Sequence, residues 1–522
     1  MKRLIALFFI LILCFSVVAC GNSVDSNIDN NTASESEKQT DSATLEVEGH
    51  ADENSDKICD DCGISVVTTF DFYAINDLHG KLVTSNNTVG VEGLTTYLKQ
   101  SASKDDNPIF LSSGDMWQGG AQSNLTKGAI VTEWMNYMGF VSMTLGNHEF
   151  DWGEEYIENN AEIAKFPFLA INIFEKSTNK QADYCDSSVI VECNGLQVGI
   201  IGAIGDCYSS ISADKVEDVY FKKGSALTSL VKAEAQKLRA EGADLIVYSL
   251  HDGASKNPSG QVISDSALSA YYDIALSDGY VDLVFEGHSH VGYTVRDSKN
   301  VYHLQNSGDN GGISHAEIEY NFANGDYSVT QAEHIKSSKY KDVSEDAIVS
   351  ELLEKYNDDI VKADEEIGKN SVSRNKGALC STVAKLYFEA GANRWGDKYD
   401  IVLGGGFISV RSPGYLREGN IKYSDLQAIL PFDNDIVLCS IKGRDLLKKF
   451  INTNNDNYYI HLGEYGNSVK NGIDDNATYY IITDTYTSSY AYNNLTVVEQ
   501  YDSGVYARDL LAEYIKAGNW AN

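Results

Sequence analysis

The chain has 522 residues, 43% of them hydrophobic, and a formal net charge of −34. That length exceeds what a single hydrophobic core serves, so two folded domains are expected. The acidic excess excludes nucleic-acid polymers and anionic membrane surfaces as general partners. If the chain handles anionic substrates, it must reverse the field locally with divalent cations and a few arginines.

Residues 1–20 read as a lipoprotein signal peptide. Lys2 and Arg3 begin it, Leu4 to Ala19 form an apolar run shorter than the ~20 residues of a membrane-spanning helix, and Val17-Val18-Ala19-Cys20 resembles a bacterial lipobox. Cleavage before Cys20 and lipidation of its thiol would hold the chain on the extracytoplasmic face of the bacterial cell membrane through that lipid only. An ordinary secretory signal or an anchor helix are the alternatives. Residues 21–66, rich in Ser, Asn, Asp, Glu and Thr, read as a disordered acidic spacer. Within it, the segment from His50 to Cys62 holds a Cys59-x-x-Cys62 pair, a zinc-like spacing, and alternating acids that suit calcium. A fourth zinc ligand and the full calcium-loop spacing are missing, which favours solvated chain over a metal knot.

Residues 67–340 change texture. Five β-rich runs each end on polar residues able to bind metal: Val67 to Ile75 on Asn76-Asp77-Leu78-His79-Gly80, Pro108 to Ser113 on Gly114-Asp115, Val141 to Leu145 on Gly146-Asn147-His148-Glu149-Phe150-Asp151, Leu245 to Leu250 on His251-Asp252-Gly253, and Val281 to Glu286 on Gly287-His288-Ser289-His290. Helical patterns such as Gly128 to Met138 and Ser225 to Ala240 separate some of these runs, and a hairpin is expected around Val189 to Ile201. Cys185 and Cys193 flank that hairpin and either pair or remain buried thiols. In open α/β sheets, sites form beyond the carboxyl ends of strands, where all five motifs fall. The spacing of Ile348, Val349, Leu352, Leu353, Tyr356, Ile360 and Val361 predicts one helix from Ser344 to about Ile367, so residues 341–368 read as a helical linker. Residues 369–522 read as a smaller mixed α/β domain.

Each motif alone is ordinarily a turn or a helix cap. Together they contain five of the ten histidines, His79, His148, His251, His288 and His290, and they offer the donor set of a site in which two divalent ions ~3.5–4 Å apart clamp a phosphoryl group. Asp115 is the candidate to touch both ions. Asp77 and His79 approach one ion, Asn147 and His251 the other, and His288 and His290 can each serve a different one. His148 beside Asn147, with Asp151 to fix its tautomer, forms a pair suited to stabilising phosphoryl charge or protonating a leaving alcohol.

The order of these motifs resembles the calcineurin-like metallophosphoesterases and, more closely, the bacterial 5′-nucleotidase family, over nearly everything after residue 66. The resemblance implies a four-layer α/β/β/α metallophosphatase domain followed by a smaller mixed α/β nucleotide-binding domain. It also implies two divalent ions (zinc, manganese, cobalt or iron) on Asp77, His79, Asp115, Asn147, His251, His288 and His290, with His148 and Asp151 as catalytic dyad. In the second domain it implies phosphate- or ribose-side arginines at Arg374 and Arg411, and aromatic rings that sandwich the base at Phe432 and Tyr486, with Tyr490 and Tyr506 as rivals to the latter. Phe432 equally suits a core position after a proline turn. The chain departs from the family pattern near its end, where the usual aromatic-Gly-Gly-Asp segment is replaced by Asp484 to Tyr490.

The activity these readings imply is release of phosphate from small nucleoside 5′-monophosphates by a two-metal-activated water. A 2′,3′-cyclic-nucleotide phosphodiesterase or nucleotide-sugar hydrolase would use the same centre. A non-catalytic solute-binding lipoprotein would share the anchor and two lobes, but would have no use for the His148–Asp151 pair.

Overall fold

A computed structural model describes residues 51–84, 89–102, 108–254, 274–411, 413–463, 472–490, 493–502 and 504–520. The signal segment, Cys20, His50 and the spacer up to residue 50 lie outside the described residues. Residues 51–66 depart from the spacer expectation. They form turns in which Asp52, Asn54, Asp56 and Asp60 side chains accept backbone N–H groups, Ile58 bridges Ser65, and Lys57 pairs with Glu319 at 2.7 Å. A contact so distant in sequence is invisible to a composition argument.

Two six-stranded sheets follow, each built on four parallel strands. In the first, the parallel strands Val67–Ile75, Ile109–Ser112, Phe140–Thr144 and Phe168–Leu169 lie side by side, and Gly312–Asn321 and Asp326–Lys336 extend the Val67–Ile75 edge antiparallel. In the second, Leu196–Ile204, Leu245–His251, Leu283–Glu286 and Tyr302–Gln305 run parallel between antiparallel edges Ser188–Cys193 and Tyr293–Arg296. The expected hairpin is thus present.

The period of two explains the packing. In strand 67–75, Phe70, Phe72 and Ala74 enter the core between the sheets, while Tyr73 and Ile75 join an outer core. In strand 245–251, Leu245 and Val247 face the inter-sheet core and Ile246, Tyr248 and Leu250 the other side. Phe72 and Phe285, one from each sheet, lie 6.0 Å apart between ring centroids. Helices Val91–Ala102, Ala129–Met138 and Glu154–Ile163 cover the first sheet and helix Ser225–Ala240 the second. The result is the expected four-layer α/β/β/α domain, and because both faces of each sheet are buried its central strands read as nearly continuous apolar runs.

The expected single linker helix is broken. Asp346, not Ser344, caps helix Ala347–Lys355 by accepting from Ile348 and Val349 N–H. The helix stops at Tyr356, a second helix covers Asn357–Ala363, and Glu366–Asn370 is already a strand, paired with Gly419–Lys422. The second domain is a five-stranded mixed sheet in the order 458–462, 401–407, 478–484, 436–442, 496–500, with helix Lys376–Trp395 packed against it. Cys185 and Cys193 are both buried but belong to different apolar clusters. Among the described residues no helix is long and apolar enough to cross a membrane.

One buried charge network braces the strand that leads to Gly287. His303 lies with Nδ1 3.4 Å from Glu286 and Nε2 3.3 Å from Asp297. Burial disfavours its charged form, but hydrogen bonds to the two carboxylates outweigh this and raise it to about 9. A raised histidine stabilises the fold fully below its unfolded value of ~6.5 and loses that contribution as the pH climbs through the folded value. Urea midpoints of the wild-type chain should therefore fall between about pH 6.5 and 9, and His303→Gln should remove that part of the slope. Parallel slopes in the two proteins would show that His303 is neutral in the fold.

Candidate metal centre

The parallel strands of both sheets end at one edge, and the motifs meet there. Asp77, His79, Asp115, Asn147 and His251 are all buried, and the ligand atoms of Asp77, His79 and His290 lie within 4.8 Å of one another, as do those of Asp77, Asp115 and His251. Backbone conformation marks the same residues. Asp77, His79, Asp115, His288 and His290 all have φ between 49° and 70°, a region that non-glycine residues seldom occupy and that concentrates at functional sites.

Two glycines allow the loops to approach so closely. A Cβ on Gly146 would stand 2.3 Å from Asp115 Oδ1, and one on Gly114, whose φ is +91°, would stand 2.6 Å from His251 Nδ1. Glu149 ties the same loops together. Its buried carboxylate accepts the N–H groups of Asp115 (2.8 Å), Met116 (2.8 Å) and Gly146 (2.7 Å). The sequence motif contains Glu149 but gives no hint of this clamp.

The hydrogen-bond directions show what the centre is built to accept. His79 Nδ1 lies 2.7 Å from the Gln118 carbonyl and must donate to it, which leaves Nε2 with a bare lone pair facing His290 Nε2 at 3.0 Å. His251 Nδ1 likewise donates to Ser113 O at 2.6 Å, and its Nε2 faces Asp115 Oδ2 at 3.2 Å and Asn147 Oδ1 at 3.3 Å. Acceptors that face acceptors in a buried site repel unless a cation or proton lies between them. Electrostatics agree. Burial disfavours a charged Asp77, but His290 and His251 hold its carboxyl below the usual range. Burial also disfavours a charged His251, yet Asp115 raises that imidazole to about 10, while burial and His290 push His79 down. A hard, carboxylate-bridged, imidazole-rich set of this kind fits two divalent cations, with Asp77, His79 and His290 on one side and Asn147, His251 and His288 on the other. Asp115 has one oxygen on His251 and the other accepting His148 N–H at 2.8 Å. Asp309, which the sequence did not single out, backs His290 at 3.9 Å and donates its N–H to Asp77 O at 2.6 Å.

Residues 70–292 match the family model described as calcineurin-like phosphoesterase. The chain carries a calcineurin-like phosphoesterase domain. Domains of that family are phosphoester hydrolases that use divalent metals. Similarity extends past it. The chain is 24% identical over 390 residues to the protein UshA of Escherichia coli, which covers 67% of this chain and 68% of UshA. It is 29% identical over 241 residues to an apyrase of Tabanus yao, which covers 44% of this chain and 39% of the apyrase. The chain thus spans about two thirds of one relative and well under half of the other. The crystal structure of a 5′-nucleotidase precursor from Thermus thermophilus superposes with a TM-score of 0.65 over 86% of this chain and 96% of that one, at 18% identity, a likeness of fold.

Between the phosphoesterase domain and the second domain runs a cleft of about 290 Å³. His148, Asp151, Asn147 and His288 line it from one side, and Phe407, Arg411, Phe432 and Tyr486 from the other. His148 Nδ1 is 2.7 Å from Asp151 Oδ2, and the Arg411 guanidinium touches His148 Nε2. Arginine can only donate, so Nε2 accepts and the ring proton sits on Nδ1, donated to Asp151. Phe432 stacks on His148, centroids 5.9 Å apart at 30°, with Arg411 5.4 Å above its ring. Arg508 donates to the carbonyl of Phe432 at 3.0 Å and pairs with Asp433, which in turn pairs with Lys127 of the phosphoesterase domain. Tyr486 is tilted against Phe407 at 5.6 Å and shares a 2.7 Å hydroxyl contact with Tyr490. Neither Tyr490 nor Tyr506 is among the residues lining the cleft, whereas Tyr486 is.

Arg374 does not join them. Its side chain bonds Asn370 Oδ1 at 3.3 Å and Trp520 O at 3.1 Å and lies over the Trp520 ring, so it braces the C-terminus within the second domain. Lys215, Ser210 and Ser212 line the cleft instead; they lie on or beside short 3-10 turns that carry no motif, and no sequence signal marks them.

The bridging role expected of Asp115 is testable by elemental analysis. Asp115→Ala should lose both ions from a chain that otherwise binds two per molecule, with its far-ultraviolet circular dichroism unchanged. Two tightly held ions in that variant would refute the bridge.

Proposed function

We propose that this protein is an extracytoplasmic 5′-nucleotidase-like phosphatase that acts on small nucleoside monophosphates. The observation that carries the reading is one cleft that brings together two kinds of group. His148, Asn147 and His288 beside Arg411 are suited to a phosphate, and Phe432, stacked on His148, together with Tyr486 offers aromatic rings suited to a flat base. The similarity to UshA through 67% of this chain supports a function that needs both domains. The signal-like residues 1–20 and Cys20 support a lipid tether on the extracytoplasmic face.

The divalent cations, when bound, supply Lewis acidity that polarises the phosphoryl group and makes water a competent nucleophile. The chain's own residues do the rest. Arg411 neutralises phosphoryl charge and, by donating to His148 Nε2, keeps that nitrogen unprotonated until substrate draws the guanidinium away. His148 can then take a proton on Nε2 and stabilise charge on the phosphoryl oxygens or protonate the departing alcohol, with Asp151 compensating the imidazolium. Phe432, fixed by Arg508 beneath its loop, and Tyr486 hold the base so that the ester oxygen faces His148.

His148→Ala should lower turnover by roughly 10²- to 10⁴-fold while leaving metal content at the wild-type level; loss of metal would instead make His148 a ligand. A phosphate-release screen of nucleoside monophosphates, cyclic nucleotides, nucleotide sugars and ribose 5-phosphate tests the substrate class. Phe432→Ala and Tyr486→Ala should each raise KM for a nucleoside monophosphate roughly tenfold to a hundredfold, the worth of stacking one base at about 1–3 kcal/mol. KM for ribose 5-phosphate should barely change. Equal effects on both substrates would remove the base-stacking role, and faster release from cyclic nucleotides or nucleotide sugars would transfer the assignment to those substrates.

A further inference from the structure

One donor at the centre belongs to none of the five motifs. Strand Leu196–Ile204 runs parallel to Leu245–His251, with Ile204 opposite His251, and the turn that follows brings Cys207 to the metal edge. That turn is firmly held. Gly205 N–H donates to His251 O at 3.0 Å, Cys207 N–H donates to Asp252 Oδ2 at 3.1 Å, and a Cβ on Gly205 would meet Asp252 Oδ2 at 2.3 Å. The thiol is buried, and its sulfur and one ring nitrogen each of His251 and His288 all lie within 4.8 Å of one another. Its present partner is the His251 carbonyl at 2.9 Å, a weak acceptor–donor match for sulfur that a cation–thiolate bond outweighs.

We propose that Cys207 is a sulfur ligand to the cation shared by His251 and His288, and that it makes this half of the centre zinc-selective. The proposal rests on the two-cation reading given above and goes beyond it by making the two halves chemically unequal. Asp77, His79 and His290 offer only oxygen and imidazole nitrogen, a set that suits manganese or iron as well as zinc, whereas adding a thiolate to two imidazoles favours zinc or cobalt over manganese. On binding, the thiol gives up its proton to solvent, so no redox partner is required.

Cobalt reports sulfur ligation directly, because a thiolate on Co(II) gives an intense near-ultraviolet charge-transfer band. The purified chain should bind two cobalt ions and display that band. Cys207→Ser and Cys207→Ala should lose the band per bound cobalt, and a Cys59→Ser/Cys62→Ser chain should keep it. In zinc–manganese competition followed by elemental analysis, Cys207→Ser should hold at least about tenfold less zinc relative to manganese. That is the lower bound expected if a lost sulfur ligand matters at least as much as a residue merely hydrogen-bonded to a ligand. Should the Cys207 variants not fold, the Cys59→Ser/Cys62→Ser chain decides: a retained band supports Cys207 and a lost band overturns it. Two bound cobalt ions without the band, or a band that survives in Cys207→Ser, would overturn the sulfur ligand and leave the centre standing. A wild-type chain that binds no cobalt would overturn the centre itself.

Discussion

The structure depends on lone pairs that point at one another. His79 and His251 each commit one ring nitrogen to a backbone carbonyl, Gln118 O and Ser113 O, which in the neutral ring leaves the other nitrogen nothing to donate. Those bare nitrogens face His290, Asp115 and Asn147 at 3.0–3.3 Å. In a solvated loop such a cluster would disperse. Here it is buried at the joint edge of two sheets, and positive charge is the means of relieving it. The backbone hydrogen bonds of a few carbonyls thus suit the cluster to cations before any question of substrate arises.

Holding that arrangement together requires the surrounding chain to be rigid. Five of the converging residues sit at positive φ, which is costly for aspartate and histidine. The cost is met by the tight seams at Gly114 and Gly146 and by Glu149, whose carboxylate gathers four amides from two loops. Burial and the neighbouring Asp115 push the Glu149 carboxyl up. A cation on Asp115 would relieve that repulsion, so cation binding and the loop clamp reinforce each other.

Much of this was legible in the sequence because the physics was local. Strands such as 67–75 and 245–251 declare themselves by apolar runs that end in residue types able to bind metal, and their period of two divides the side chains between two cores. Asp77, His79, Asp115, Asn147, His251, His288 and His290 are readable for the same reason: His251 ends its strand and each of the others follows its strand by two to four residues. What escaped depends on partners far away in the chain. Residues 51–66 take up ordered turns that include the pairing of Lys57 with Glu319. Arg374 is taken by Trp520, 146 residues on. The break at Tyr356 arises in a segment whose apolar spacing continues unbroken through it. Lys215 and Cys207 reach the site from turns with no motif, where only tertiary placement gives them meaning.

Asp433 stands between two cations, Arg508 in its own domain and Lys127 across the cleft. If the lobes part, the Lys127 contact and the 3.2 Å Asn124–Gln427 bond must break, but Arg508 keeps both Asp433 and the Phe432 carbonyl. The carboxylate is therefore never stranded without a counter-charge, and the aromatic loop would travel as a preshaped cartridge. Higher ionic strength would weaken the Lys127 seam without loosening the Arg508–Asp433–Phe432 unit.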